Sequence, residues 1–164
     1  MLFRSGSPDG SVKLWDVASG TLLWSGWHTK STTWLAFAPN GSRLTSASYD
    51  GTVKLWEVGE TGSRRCLETL VGHTERVQAL AWSADGGTLA SGSFDHTIRL
   101  WDGQEGNSRL VLQGHSAVVN GLAFTPDSRS LLIFLTPHSS AARFFPAPLQ
   151  PTSRRSCSGD VTQR

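Results

Sequence analysis

The chain has 164 residues, of which 38% are hydrophobic and 17% charged, enough for one domain with a hydrophobic core. A formal net charge of +2 argues against nucleic-acid binding. Two cysteines, Cys66 and Cys157, are too few for a disulfide framework and lack metal-ligand spacing, so we expect a reducing, cytoplasmic location and no metal. The longest apolar run, 131–135, is too short for a membrane helix, so no membrane partner is expected.

Landmark residues recur along the chain. A histidine returns as His28, His73 and His115, at intervals of 45 and 42 residues. An aspartate and a tryptophan recur at 41 and then 45 residues; they are Asp9, Asp50 and Asp95, and Trp15, Trp56 and Trp101. A period of this length is typical of repeat architectures. The repeat divides the chain into units over 1–25, 26–71 and 72–113, followed by the start of a fourth over 114–132.

The third unit shows the secondary structure of a repeat most clearly. Its apolar and polar residues alternate in short runs that are rich in β-branched and aromatic side chains and separated by Asp, Gly and Asn turns. No stretch has helical periodicity over more than two turns. The pattern predicts four strands in each unit, at Val77–Trp82, Thr88–Ser93, 97–102 and 110–112 in the third, forming an antiparallel meander.

Four short segments of the third unit resemble the WD-repeat (tryptophan–aspartate) β-propeller family. They are Gly72-His73, 83–86, 91–95 and the Ile-Arg-Leu-Trp-Asp run at 98–102. In that family each repeat is a blade of four antiparallel strands, and the blades stand around a central channel. The resemblance implies an all-β chain of about three to three and a half blades in an open arc, with the inner strand of the first blade missing.

The resemblance also implies a hydrogen-bonded network in each blade. In the third unit the resemblance implies that His73 binds Asp95 and that Ser93 links His73 to the indole of Trp101. The corresponding residues are His28, Ser48, Asp50 and Trp56 in the second unit, and Ser7, Asp9 and Trp15 in the first. Such groups could be mistaken for a Ser-His-Asp hydrolase triad, but they recur unit by unit, so we interpret them as structural. No catalytic residue and no cofactor are predicted.

The match to the repeat ends at about Leu132. A fourth unit would need Ser, Asp and Trp at positions 135, 137 and 143, which hold Leu135, Pro137 and Arg143. Residues 133–164 are rich in Pro, Ser and Arg and are predicted to be disordered. We hypothesise that this tail derives from another reading frame or a retained non-coding segment, and that the chain is a fragment of a larger propeller.

The function predicted from the resemblance is a non-catalytic scaffold that binds a protein or peptide through its loop faces. Candidate contact residues precede the turn aspartates or follow the histidines; they are Tyr49, Phe94, Lys30, Ser31, Glu75 and Arg76. Self-association through open blade edges is a further candidate. The alternatives are a truncated or frameshifted product without independent function and, less favoured, the pocket-bearing part of a propeller enzyme or lectin.

Overall fold

The computed structural model describes residues 2–58, 64–135 and 143–146. Over these residues the chain forms fourteen strands in four antiparallel sheets. The same ranges contain no helix long and apolar enough to cross a membrane. The prediction of an all-β chain built from antiparallel meanders is confirmed.

Each sheet follows the order of the chain, so that every strand pairs with its sequence neighbours. Sheet 1 contains β1 (Leu2–Gly6), β2 (Ser11–Asp16) and β3 (Leu22–Trp27). Sheet 2 contains β4 (Thr32–Phe37), β5 (Arg43–Ser48), β6 (Val53–Glu57) and β7 (Arg65–Leu70). Sheet 3 contains β8 (Val77–Trp82), β9 (Thr88–Ser93), β10 (Ile98–Asp102) and β11 (Ser108–Leu112). Sheet 4 contains β12 (Val119–Phe124), β13 (Ser130–Leu135) and β14 (Arg143–Pro146).

The turn between the second and third strand of each complete sheet needs a left-handed residue. Gly51 has φ +83° in sheet 2, and Gly10 has φ +86° in the matching turn of sheet 1. In sheet 3 the same place is taken by His96, which adopts φ 65° without being glycine. The shared conformation keeps the preceding aspartates in equivalent places, which the network described below requires.

The hydrophobic core lies between successive sheets. Strand β4 packs against β1 on one side and β8 on the other, and β8 packs against β12. Between sheets 2 and 3, Ala47 and Val53 of one sheet meet Val77, Leu80 and Trp101 of the next. The interfaces of sheets 1 and 2 and of sheets 3 and 4 are built in the same way. Each sheet is therefore stabilised by its neighbours in the array, as expected for a repeat fold.

One position on the face that each sheet turns to the next is restricted to small residues. It is Gly6 in sheet 1, Ala47 in sheet 2 and Gly92 in sheet 3. A Cβ added to Gly92 would overlap the Val119 side chain of sheet 4. Sheet 4 has Phe134 there, and this side chain is 51% exposed. Close packing of sheet 3 against sheet 4 thus requires a residue without a side chain at Gly92.

The predicted end of order at Leu132 is wrong for part of the tail. Strand β13 continues to Leu135, and β14 pairs with it antiparallel. The reason is physical: Leu131 and Ile133 alternate into the core against sheet 3, whether or not the repeat signature continues. The remaining tail residues, 136–142 and 147–164, lie outside the described ranges. Strand β3 also runs to Trp27, past the predicted end of the first unit.

Candidate functional site: the histidine–aspartate face

A chain of buried hydrogen bonds crosses sheet 3. The Trp101 indole Nε1–H donates to Ser91 Oγ over 2.8 Å, and Ser91 Oγ lies 2.8 Å from His73 Nε2. His73 Nδ1 lies 2.8 Å from Asp95 Oδ2. A neutral imidazole protonated on Nδ1 satisfies every link, because Ser91 then donates to Nε2 and His73 donates to the carboxylate. The network joins the turn at Asp95 to the middle of β10.

Sheet 2 repeats this arrangement with its own residues. The Trp56 indole donates to Ser46 Oγ over 2.7 Å, and Ser46 Oγ lies 2.7 Å from His28 Nε2. His28 Nδ1 lies 3.2 Å from Asp50 Oδ2. The structure therefore brings together the predicted histidine, aspartate and tryptophan in both sheets. In sheet 1 the indole of Trp15 donates to a serine hydroxyl over 3.2 Å.

The serine of the network differs from the one predicted. Ser93 Oγ donates to the Arg76 carbonyl over 2.9 Å and accepts the Asp95 N–H over 3.1 Å. The serine in contact with His73 and the indole is Ser91. Trp101 pairs in register with Leu89 on β9, so its indole reaches a serine two residues away but not one four residues away. The sequence could not separate the two, because both serines lie on one face of the strand.

The same correction holds in the other two sheets. Ser46 replaces the predicted Ser48, whose Oγ donates to the Lys30 carbonyl and accepts the amide of Asp50. In sheet 1, Ser5 replaces the predicted Ser7 as the partner of the indole. Asp9, the aspartate of that sheet, accepts the Ser11 amide over 2.8 Å.

The turn aspartates are held by residues that sequence reasoning missed. Asp95 Oδ1 accepts the Thr97 hydroxyl and amide over 2.7 and 2.9 Å, and Thr52 does the same for Asp50. Burial by itself would raise the pKa of Asp95, but the hydrogen bonds from Thr97 and His73 lower it to about 2. A threonine two residues after each aspartate, repeated at the 45-residue interval, is the signal that could have identified them.

The two histidines are held in the neutral form. Burial lowers the pKa of His73 below its usual value, although the hydrogen bond and the charge of Asp95 act in the opposite direction. His28 behaves in the same way, with burial lowering its pKa more than Asp50 raises it. A neutral imidazole is the form that the hydrogen-bond directions require.

Five of the six predicted contact residues line one cavity between sheets 2 and 3. The cavity has a volume of about 470 Å³, and its lining comprises Lys30, Tyr49, Asp50, Gly51, Thr74, Glu75, Arg76 and Phe94. The guanidinium carbon of Arg76 lies 3.4 Å from the centre of the Phe94 ring and 4.8 Å from that of Tyr49. Ser31, the sixth residue, does not line it, and its hydroxyl donates to the Pro8 carbonyl over 2.7 Å.

Backbone hydrogen bonds between loops fix the walls of this cavity. The Tyr49 amide donates to the Ser31 carbonyl over 2.9 Å, and the Phe94 amide donates to the Arg76 carbonyl over 3.0 Å. Tyr49 and Phe94 each directly precede a turn aspartate of the buried network in the sequence. The aromatic side chains therefore stand on loops whose backbone is already ordered.

Two other kinds of site, metal centres and reactive thiols, have little support in the part of the chain that the structure describes. Its His, Cys, Asp and Glu residues form no group that could hold a metal ion. Cys66 is a free, exposed thiol on β7. The cavity lined by Arg76, Tyr49 and Phe94 is therefore the main candidate site in the described part of the chain.

Comparison with known proteins agrees with the repeat. The family model described as WD domain, G-beta repeat matches residues 20–57, 64–102 and 106–133. Each matched segment begins at the last strand of one sheet and continues into the next sheet. One repeat of the family model therefore spans parts of two neighbouring sheets. No curated protein matches the chain. Repeats of this family generally mediate protein–protein interactions and are typically non-enzymatic. The chain belongs to the WD-repeat family.

Proposed function

We propose that this chain is a non-catalytic interaction scaffold that binds a protein or peptide in the cavity between sheets 2 and 3. The observation that carries the proposal is the contact of the Arg76 guanidinium with the rings of both Tyr49 and Phe94. Aromatic and arginine side chains at the centre of a contact are the residues that most often dominate binding energy. Here they are gathered at one interface of the array.

The surrounding structure supports binding because it orders these side chains before a partner arrives. The loops that carry Tyr49 and Phe94 are joined to their neighbours by backbone hydrogen bonds and to the core by Asp50 and Asp95. A partner would therefore lose little binding energy to loop ordering.

The buried network supports a non-catalytic role. Ser46 and Ser91 stand in Ser-His-Asp geometry, yet both are 0% exposed. Their hydroxyl oxygens also accept the indole N–H of Trp56 and Trp101. A hydroxyl that no substrate can reach, and that occurs once in each complete sheet, cannot serve as the nucleophile of a single active site.

The proposal can be tested with a displayed random-peptide library selected on the immobilised full chain. Individual selected peptides are then measured by fluorescence anisotropy on the wild type and on a Tyr49→Ala/Phe94→Ala variant. We expect the double variant to weaken binding about tenfold or more, because both walls of the cavity are lost. Trp27→Ala is the matched control, because Trp27 is an exposed aromatic residue outside the cavity.

Two outcomes would contradict the proposal. Peptides that bind the double variant as tightly as the wild type, and are lost in Trp27→Ala, would place the site elsewhere. A failure to select any peptide on a folded chain would favour a product without independent function. Self-association through open edges, a cytoplasmic location and the absence of a nucleic-acid partner stay predictions of the sequence.

A further inference from the structure

The Arg76 guanidinium contacts two aromatic rings. Its guanidinium carbon lies 3.4 Å from the centre of the Phe94 ring and 4.8 Å from that of Tyr49. Arg76 is half-buried, and no described residue accepts a hydrogen bond from its guanidinium or pairs with it as an ion. A guanidinium carries five N–H donors in its plane, so stacking leaves them available at the rim. The side chain is thus ordered by two rings while its hydrogen-bonding capacity is free.

The other charges of the cavity are unequally available. Lys30 is exposed at the same rim and adds a second positive charge. The Asp50 carboxylate is already occupied, because one oxygen accepts from Thr52 and the other from His28 and Thr29. Glu75 is the other acid in the lining, and it is exposed. The lining therefore carries two positive and two negative charges, but of these four side chains only Arg76, Lys30 and Glu75 have hydrogen-bonding groups left for a partner.

We propose that this cavity recognises an acidic peptide segment, whose carboxylate accepts paired N–H bonds from the edge of Arg76. Lys30 provides a second, less directional contact, and the exposed ring of Tyr49 packs against the neighbouring peptide side chain. This inference rests on the proposed function and specifies the chemistry of the partner. A planar fork that donates two parallel bonds matches a carboxylate, whereas a lysine in this place would act only as a point charge.

The arrangement also explains why an arginine would stand between two rings. A free arginine loses rotamer entropy when it binds, but here the stack has already restricted the side chain. Arg76 is also half-buried, so its hydrogen bonds to an anion would be less screened by water than those of a fully exposed arginine. Both effects favour binding of a carboxylate at the rim.

Fluorescent octapeptides that differ only in charge provide the test on the full chain. Four probes alternate glycine with glutamate, glutamine or lysine, all blocked at both ends, or with glutamine and a free carboxyl terminus. We expect the glutamate probe to bind about ten- to a hundredfold more tightly than the blocked glutamine probe, the range for charge-assisted bonds. The fourth probe separates a side-chain carboxylate, which we propose, from a terminal one.

Variants assign the preference to the cavity. Arg76→Gln should remove the preference for glutamate, and Arg76→Lys should lose most of it despite keeping the charge. Glu75→Gln should tighten binding of the glutamate probe. The matched control is Arg65→Gln, which removes one exposed arginine, paired with Glu57, on the outer strand of sheet 2. The control should leave the preference unchanged, because it alters net charge without touching the cavity.

Each remaining outcome overturns the inference in a distinguishable way. Equal binding of the glutamate and glutamine probes, lost on Tyr49→Ala, would refute the acidic preference and leave the proposed function standing. A preference for the lysine probe that disappears in Glu75→Gln would show that the cavity reads positive charge. An equal loss in Arg76→Gln and Arg65→Gln would show non-specific attraction. Peptide selection that succeeds only outside this cavity would refute both proposals.

Discussion

The assignment of Ser91 to the buried network can be tested by combining Ser91→Ala with Trp101→Phe. Ser91→Ala removes the acceptor of the indole N–H and the donor to His73 Nε2, both of which are shielded from solvent. A buried polar group left without a partner costs about 1–3 kcal/mol, so we expect a loss of roughly 2–4 kcal/mol in the free energy of unfolding. Trp101→Phe keeps most of the ring and should cost less, about 1–2 kcal/mol.

The double variant distinguishes the correct serine from the predicted one. With Trp101→Phe present, Ser91→Ala no longer leaves an indole N–H without its acceptor. The double variant should therefore lose about 1 kcal/mol less than the sum of the single variants. Ser93→Ala provides the comparison, because Ser93 bonds the Arg76 carbonyl and the Asp95 amide. Its effect should add to that of Trp101→Phe within about 0.5 kcal/mol.

Urea denaturation followed by circular dichroism gives the free energies that this cycle needs. The reasoning would be refuted if Ser93→Ala showed the coupling to Trp101→Phe and Ser91→Ala did not. An additive Ser91→Ala/Trp101→Phe pair would mean that no hydrogen bond joins the two residues. The equivalent cycle at Ser46 and Trp56 should reproduce the coupling in sheet 2.

Two further predictions concern pH and packing. Because burial lowers the pKa of His73 from 6.5, the unfolded chain binds a proton that the folded chain excludes, and the free energy of unfolding should fall as pH drops below about 6.5. A second fall in the free energy of unfolding should follow between pH 3.8 and about 2, because Asp95 is protonated there first in the unfolded chain. Urea melts across this pH range check both predictions. Greater stability at about pH 5.5 than at about pH 7.5 would contradict the prediction for His73. Gly92→Ala should lower the free energy of unfolding by about 1–3 kcal/mol in a urea melt, because the new Cβ would overlap Val119. The loss should exceed that of the control Gly41→Ala, where nothing lies within 4 Å and only the strain of φ +70° opposes alanine. Equal losses would show that the sheet interface can relax.

The sequence was sufficient for the strands because their signals are local. The predicted strands Val77–Trp82 and Thr88–Ser93 agree with β8 and β9 to the residue, since alternation and turn residues mark both ends. The prediction for the tail is wrong for a related reason. Loss of the repeat signature at Leu132 does not end the strand, because a strand needs only alternating apolar residues and a core to pack against, which Leu131 and Ile133 have in sheet 3.

The histidine, aspartate and tryptophan of the network were predictable, but its serine was not. Strand periodicity places Ser91 and Ser93 on the same face, and only the pairing of β9 with β10 decides which one lies within reach of the Trp101 indole. That register is set by the alignment of the two strands in the folded sheet, which the alternation within one strand does not reveal. The stack of Arg76 was likewise hidden, because the spacing identifies loop positions but not the distance between rings on different blades.

Comparison of the three sheet interfaces indicates why the proposed site lies at the middle one. The residue before each turn aspartate can be matched with the residue three positions after the histidine of the next unit, which gives Pro8 with Ser31, Tyr49 with Arg76, and Phe94 with Val118 along the array. The first pair is closed by a hydrogen bond from the serine hydroxyl to the proline carbonyl. The third pair has no cation to present. Among the described residues, the middle pair alone brings an arginine within 4.8 Å of two aromatic ring centres, which is why we place the proposed binding site at this interface.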